Sequence, residues 1–256
     1  MIFGRRKRRE QQSTEEVEVT PEASDDPEET DAPAPSALEK AETQWLEWDA
    51  EFQREEGPFD IEEVDLEADD VKRLDLGSLV VTPFKNMNLQ LSVNKQQVPQ
   101  AIIVRDKDSA IEVALFGAPA KSAYIPEVRR DIIAASQGKN SRTTVRRGPF
   151  GTEIARAFPV QTKEGAVGMQ VTRTWLAEGP SWVLRGVVFG KAALEPQNED
   201  VTITVTEFFA NLVVRRGTSP VAPGAVIPFT IPEGAPKPEE QQVDPGPVEG
   251  NGLPRG

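Results

Sequence analysis

Six arginines occupy positions where a planar cation could meet an anion. Arg185 stands alone in the apolar run "GPSWVLRGVVFG" (residues 179–190), while Arg142, Arg146, Arg147, Arg215 and Arg216 fall at the ends of two candidate strands. A guanidinium presents its N–H groups as a fixed fork that matches carboxylate or phosphate, so each is a candidate for holding an anion or a partner. Each also has a plainer reading. Arg185 can lie along an open sheet face or pair with a carboxylate there, and the terminal set can decorate a strand edge against aggregation. If the two strand ends lie together they form a positive rim, with Phe150 beside it as a stacking surface.

Other chemistries are excluded by what the chain lacks. It contains no histidine and no cysteine. Ser-His-Asp catalysis, cysteine nucleophiles, thiolate zinc sites and histidine-based metal sites are therefore ruled out. An enzyme would have to work with Asp, Glu, Lys, Arg, Ser or Tyr124, and no paired-carboxylate constellation is recognisable in the core. The carboxylate-dense stretch "DIEEVDLEADD" from Asp60 to Asp70 lacks the alternating ligands, central Gly and terminal Glu of a calcium loop. No Walker A pattern occurs. The sequence calls for no cofactor and no metal.

Charge divides sharply along the chain. Residues 1–9 carry +5, residues 10–76 carry −21, residues 77–232 carry +6 and residues 233–256 carry −3, within a net −13 over 256 residues. The acidic balance of the whole thus belongs to the arms and hides a basic core. The cluster Arg5 to Arg9 is a weak candidate for an anionic membrane surface or nucleic acid. No apolar run of secretory or membrane-spanning length follows it, which predicts a cytoplasmic protein.

These side chains need elements to position them. Residues 1–35 start basic and turn acidic, and residues 233–256 are rich in Pro and Gly; both read as disordered tails. Between them the pattern predicts an amphipathic helix over 36–56 and a core domain over 57–232. Ser36 with Glu39 fits a capping box, and Leu38, Ala41, Trp45, Trp48 and Phe52 recur at 3,4,3,4 spacing as one apolar stripe. That stripe either packs on its own core or docks another chain, with Leu38, Trp45, Trp48 and Phe52 as the docking residues.

From Leu79 onward short β-rich runs predominate, two of them joined through Asp106-Lys107-Asp108. "YIPEVRRDIIAASQG" reads as a helix with Pro126 in its first turn. The segment from Glu199 to Ala210 fits both periods; we read it as a helix feeding a strand in "NLVVRR". In the strand "WVLRGVV", Trp182, Leu184, Gly186 and Val188 share one face, and Val183, Arg185 and Val187 the other. Gly186 is expected to mark a bulge and Gly190 the strand end. The sum is one α+β domain, a mainly antiparallel sheet with helices packed on one face, flanked by disordered acidic tails.

Several segments resemble an actinobacterial family of domains of unknown function, family 3710. They are "GPFD" (57–60), "RLDLGSLVV" (73–81), "EVRRDI" (127–132), "GPFGTEI" (148–154), "GPSWVLRGVVFG" (179–190) and "LVVRRG" (212–217). The chain departs from the family in "LFGAPAKSAYIPEV", where a Gly-rich, Trp-containing turn is expected. The resemblance implies a single α+β domain, a cytoplasmic setting and a helix before "LVVRRG". It implies no reaction, ligand or catalytic residue.

Taken together, the sequence predicts a non-enzymatic interaction module with a basic core and an acidic N-terminal arm, its partner most simply another protein. A nucleic-acid-binding protein regulated by its own acidic arm is the alternative, distinguished by a steep salt dependence of binding. An enzyme without His or Cys chemistry is the third reading.

Overall fold

Strand pairing organises the molecule around one central strand. A computed structural model of the chain describes residues 36–231, apart from residue 139 and residues 162–164. The two tails read from the sequence lie outside the described residues. In chain order the elements are α1 (Ala37–Glu51), β1 (Phe59–Asp60), β2 (Leu74–Asp75), β3 (Leu79–Val81), β4 (Asn88–Val93), β5 (Pro99–Asp106), β6 (Ser109–Gly117), α2 (Ile125–Ala135), β7 (Arg142–Gly148), β8 (Gly151–Gln161), β9 (Val167–Gly179), β10 (Trp182–Gly190), α3 (Lys191–Leu194), α4 (Glu199–Ala210) and β11 (Val213–Val214). Seven strands form an antiparallel sheet in the order β4-β5-β6-β10-β9-β8-β7, which puts β10 in the middle. A smaller sheet runs β1-β11-β3-β2, with β1 parallel to β11.

Turn chemistry sets the hairpins. Lys107 takes a φ of 50° between β5 and β6, and Ser181 a φ of 61° between β9 and β10. With Pro180 ahead of it, Ser181 fits the third position of a type II turn. Tight turns fix register, and register fixes which side chains share a face.

The two faces of the large sheet carry different cores. Trp175, Trp182, Leu184, Val188, Ile111, Val113 and Leu115 bury against Val205, Phe208 and Phe209 of α4 on one face. Each such side chain is worth about 1.5–3 kcal/mol when fully withdrawn from water. On the other face Ala101, Ala114, Phe116, Ile154, Leu176 and Val183 pack under Val128 and Ile132 of α2. The α+β class and the mainly antiparallel sheet agree with the sequence reading. The helices, expected on one face, cover both. α2 and α4 each carry an apolar stripe, and each stripe buries against an apolar part of the sheet face it covers.

α4 spans the residues expected of it despite six consecutive β-branched residues from Val201 to Thr206. Glu199 and Asp200 stand in its first turn, where the helix dipole favours negative charge. Thr202 and Thr206 turn their hydroxyls onto the carbonyls of Asn198 and Thr202. Burial of Val205, Phe208 and Phe209 outweighs the propensity cost.

α1 opens with the capping box: Ser36 Oγ accepts from Glu39 N–H, and Glu39 Oε2 from Ser36 N–H. The helix lies against β7 and β8 within the same compact unit, which begins at Ser36.

Candidate functional site

Arg185 sits at the centre of the middle strand, opposite Ala114 on β6 and Leu176 on β9. Its side chain points to the α2 face, as the alternation in "WVLRGVV" requires. The apolar contacts of α2 end at Ala114, Leu176 and Val183. Beyond them the same face carries Ile103, Glu112, Arg156 and Val187, all only partly buried, and the buried Thr172 and Thr174. Arg185 therefore marks where the covered half of the face gives way to an open half.

Its guanidinium is held but incompletely satisfied. The Cζ lies 5.0 Å from the centroid of the Phe116 ring, a cation–π contact. Nη2 stands 3.8 Å from Glu112 Oε1, close enough for charge attraction and too far for a hydrogen bond. Nε is buried and has no hydrogen-bond partner, the one such side-chain atom among the described residues. An unpaired buried donor costs about 1–3 kcal/mol, so a native structure that keeps one invites an explanation.

The electrostatics agree with the geometry. Burial pushes the Glu112 carboxyl above its usual range, and the attraction of Arg185 only partly opposes this. Burial lowers the Arg185 guanidinium; Glu112 holds it up and the neighbouring charge of Arg156 pushes it down again. Arg105, on the same face, donates to Gln90 Oε1 at 2.6 Å. Arg105 and Arg185 share this half-face with one described glutamate, Glu112.

The other arginines singled out by sequence do not assemble into a rim. Arg146 is paired with Glu153, Arg147 with Glu51 at 2.8 Å, and Arg215 with Asp75 at 2.7 Å. Arg216 donates to the carbonyls of Ser181, Gly217 and Ser219. Arg142 is exposed at the opposite end of β7 from Arg147. Phe150, considered as a stacking surface, is 5% exposed and packs against Trp175 and Phe209. Its place in a tight hairpin of apolar neighbours turns it into the core.

The α1 stripe is only partly used. Phe52 meets Phe150 edge-on at 5.7 Å, and Trp45 lies under the Arg129 guanidinium at 5.4 Å. Trp48 is half-buried, while Leu38 remains 63% exposed. The residue that anchors α1 is one the stripe does not contain: Asp49 pairs with Arg129 of α2 and accepts from Thr152 N–H at 2.9 Å and Thr152 Oγ1 at 2.6 Å.

Two buried carboxylates, Glu153 and Asp60, are not distinguishable by sequence. Glu153 accepts from Arg173 Nε at 2.8 Å and Trp175 Nε1 at 2.8 Å, beside its pairing with Arg146. Asp60 accepts from Trp182 Nε1 at 2.7 Å. The partners lie on other strands, so no short-range spacing marks them. A cleft of about 790 Å³ lies between the C-terminal end of α1 and the start of α2, with Asp49 and Glu178 in its wall. Glu178 accepts from Tyr124 N–H at 2.9 Å and so caps the start of α2; burial raises its carboxyl, and Asp49 adds to the rise. Among the described residues no group of three or more Asp or Glu is placed to hold a metal ion.

Gly186 does not mark a bulge. Its register with β6 and β9 runs unbroken, and a Cβ there would meet the Phe209 ring at 2.8 Å and Ile111 at 3.1 Å. Gly190 ends the strand at a φ of 73°.

These features define an α+β protein built on a seven-stranded antiparallel sheet, with one half-face left open around a buried arginine. The chain belongs to the family described as "Protein of unknown function (DUF3710)", whose model matches residues 57–237. α1 precedes the matched region. A comparison with curated proteins found no match. Among solved structures, a protein from Bacteroides thetaiotaomicron is similar at 9% identity and a TM-score of 0.35, over 56% of this chain. The match spans 47% of that protein, and the likeness carries no argument.

Proposed function

We propose that this protein is a non-enzymatic, cytoplasmic binding module that holds an anionic group of a partner on the open half of its large sheet. The observation that carries the reading is Arg185, whose Nε is buried without an acceptor while Phe116 holds the guanidinium by a cation–π contact. A donor preorganised in this way gains a charge-assisted hydrogen bond when an anion arrives, at little ordering cost. A binding role is further supported by chemistry the chain lacks, since it has no His or Cys. The carboxylates of Asp49, Asp60 and Glu153 are engaged in holding helices and indoles. Among the described residues no helix is long and apolar enough to cross a membrane.

The test is a thermal-stability titration of the full chain with inorganic phosphate, acetate and single-stranded DNA at constant ionic strength. A ligand that binds only the native state raises the midpoint as its concentration passes the Kd. A rise with a small anion that disappears in Arg185→Lys supports the reading. A rise with DNA alone, lost steeply between about 50 and 200 mM salt, would replace it with nucleic-acid binding.

A further inference from the structure

The anion class can be narrowed from the surroundings of Arg185, on the reading that this residue binds an anion. Phe116 lies against the guanidinium, and the N–H groups point outward in its plane, so an acceptor must approach along an edge of the fork. Nε and Nη2 form the side edge of the fork. A carboxylate is already the nearest anion to that edge, but Glu112 stops 3.8 Å from Nη2 and leaves Nε empty. It stands where a ligand carboxylate would compete with it.

The neighbours favour a carboxylate over a phosphate. A dianionic phosphate placed on Nε would feel about twice the repulsion from Glu112 that a monovalent carboxylate feels, in a site screened little by water. Two planar oxygens also match two parallel N–H groups. The flanks favour a protein over nucleic acid. Ile103 pairs across from Glu112 on β5 and Val187 on β10, giving apolar ground beside the charge. Phosphate-backbone binding draws on many exposed cations, whereas Arg146, Arg147 and Arg215 are each already paired with a carboxylate.

We infer that the open half-face receives an extended acidic segment of a partner protein, one Asp or Glu side chain of which takes two parallel N–H groups from Nε and Nη2 of Arg185, displacing Glu112 as an intramolecular competitor. Charge complementarity supports this occupant, since Arg105, whose bond is to the neutral Gln90, and Arg185 outnumber Glu112 on the half-face. Residues on either side of the acidic one would rest on Ile103 and Val187.

The experiment follows the Arg185 Nε–H resonance of the full-length protein by nitrogen-15 NMR, assigned through its loss in Arg185→Lys. The probes are the capped peptide Ser-Thr-Val-Glu-Val-Thr-Ser, its Gln counterpart and inorganic phosphate. The Glu peptide is expected to shift the resonance saturably and the Gln peptide to leave it in place. Glu112→Gln should tighten the Glu peptide by about threefold or more, the worth of removing one partly exposed competing charge. A gain of this kind is not produced by misfolding. Equal shifts with the Glu and Gln peptides, or unchanged affinity in Glu112→Gln, would overturn the inference. A shift with phosphate but not with the Glu peptide would overturn it too, yet leave Arg185 an anion site. No shift with any probe would remove both.

Discussion

Asp49 on α1 and Arg129 on α2 form an ion pair across 80 positions of sequence, with Thr152 of β8 hydrogen-bonded to both. The Arg129 side chain is 3% exposed. Its charge is thus compensated from α1, and that helix is fastened to the sheet by a polar latch.

Asp49→Ala should destabilise the protein by about 3 kcal/mol, because it leaves a buried guanidinium without its counter-charge. Urea unfolding measures the loss. Emission from Trp45, which the same arginine covers, should change under conditions where the rest of the protein stays folded. A variant as stable as the parent would mean that the pair contributes nothing net.

Glu153→Gln should cost about 3 kcal/mol or more, since a 1% exposed carboxylate serves Arg146, Arg173 and the Trp175 indole together. Near-ultraviolet circular dichroism would show the loss of the fixed Trp175 environment alongside the lower unfolding midpoint.

Gly186→Ala should destabilise by about 1–3 kcal/mol through overpacking against Phe209 and Ile111. Denaturant unfolding of Gly186→Ala with and without Phe209→Leu tests the cause. The two changes should be less than additive if the Phe209 ring is the obstacle.

The raised carboxyl of Glu112 has a signed consequence for pH. A group whose folded value lies above its unfolded one stabilises the fold below the unfolded value and loses that contribution as pH rises through the folded value. Glu112→Gln should therefore gain stability relative to the parent as pH rises from about 4 to 7 and converge with it in acid. A difference that stays flat across that range would mean that Glu112 ionises as freely folded as unfolded.

How far these residues could be read from sequence follows from the range of their interactions. The α1 cap was legible because Ser36 and Glu39 are one turn apart, and the facing of Arg185 because strand alternation is local. Glu112 was not, since it reaches Arg185 only through the register of β6 against β10. Asp49 escaped for a different reason. It is not among the apolar residues that periodicity picks out, and only the approach of α2 makes it a counter-ion. Gly186 was misread as a bulge because a missing side chain gives the same signal whether the backbone bends or a phenyl ring from α4 needs the room.

The latch also separates two boundaries that are easily equated. The family match begins at residue 57, after Asp49 and Trp45, while Arg129 and Thr152 fall inside it. A chain cut at the edge of the match would expose the Phe150 ring that Phe52 covers and strand a cation in the interior. The stretch that the family model matches is thus shorter than the unit that packs together, and the piece outside it is a helix that is synthesised before the cation it must neutralise.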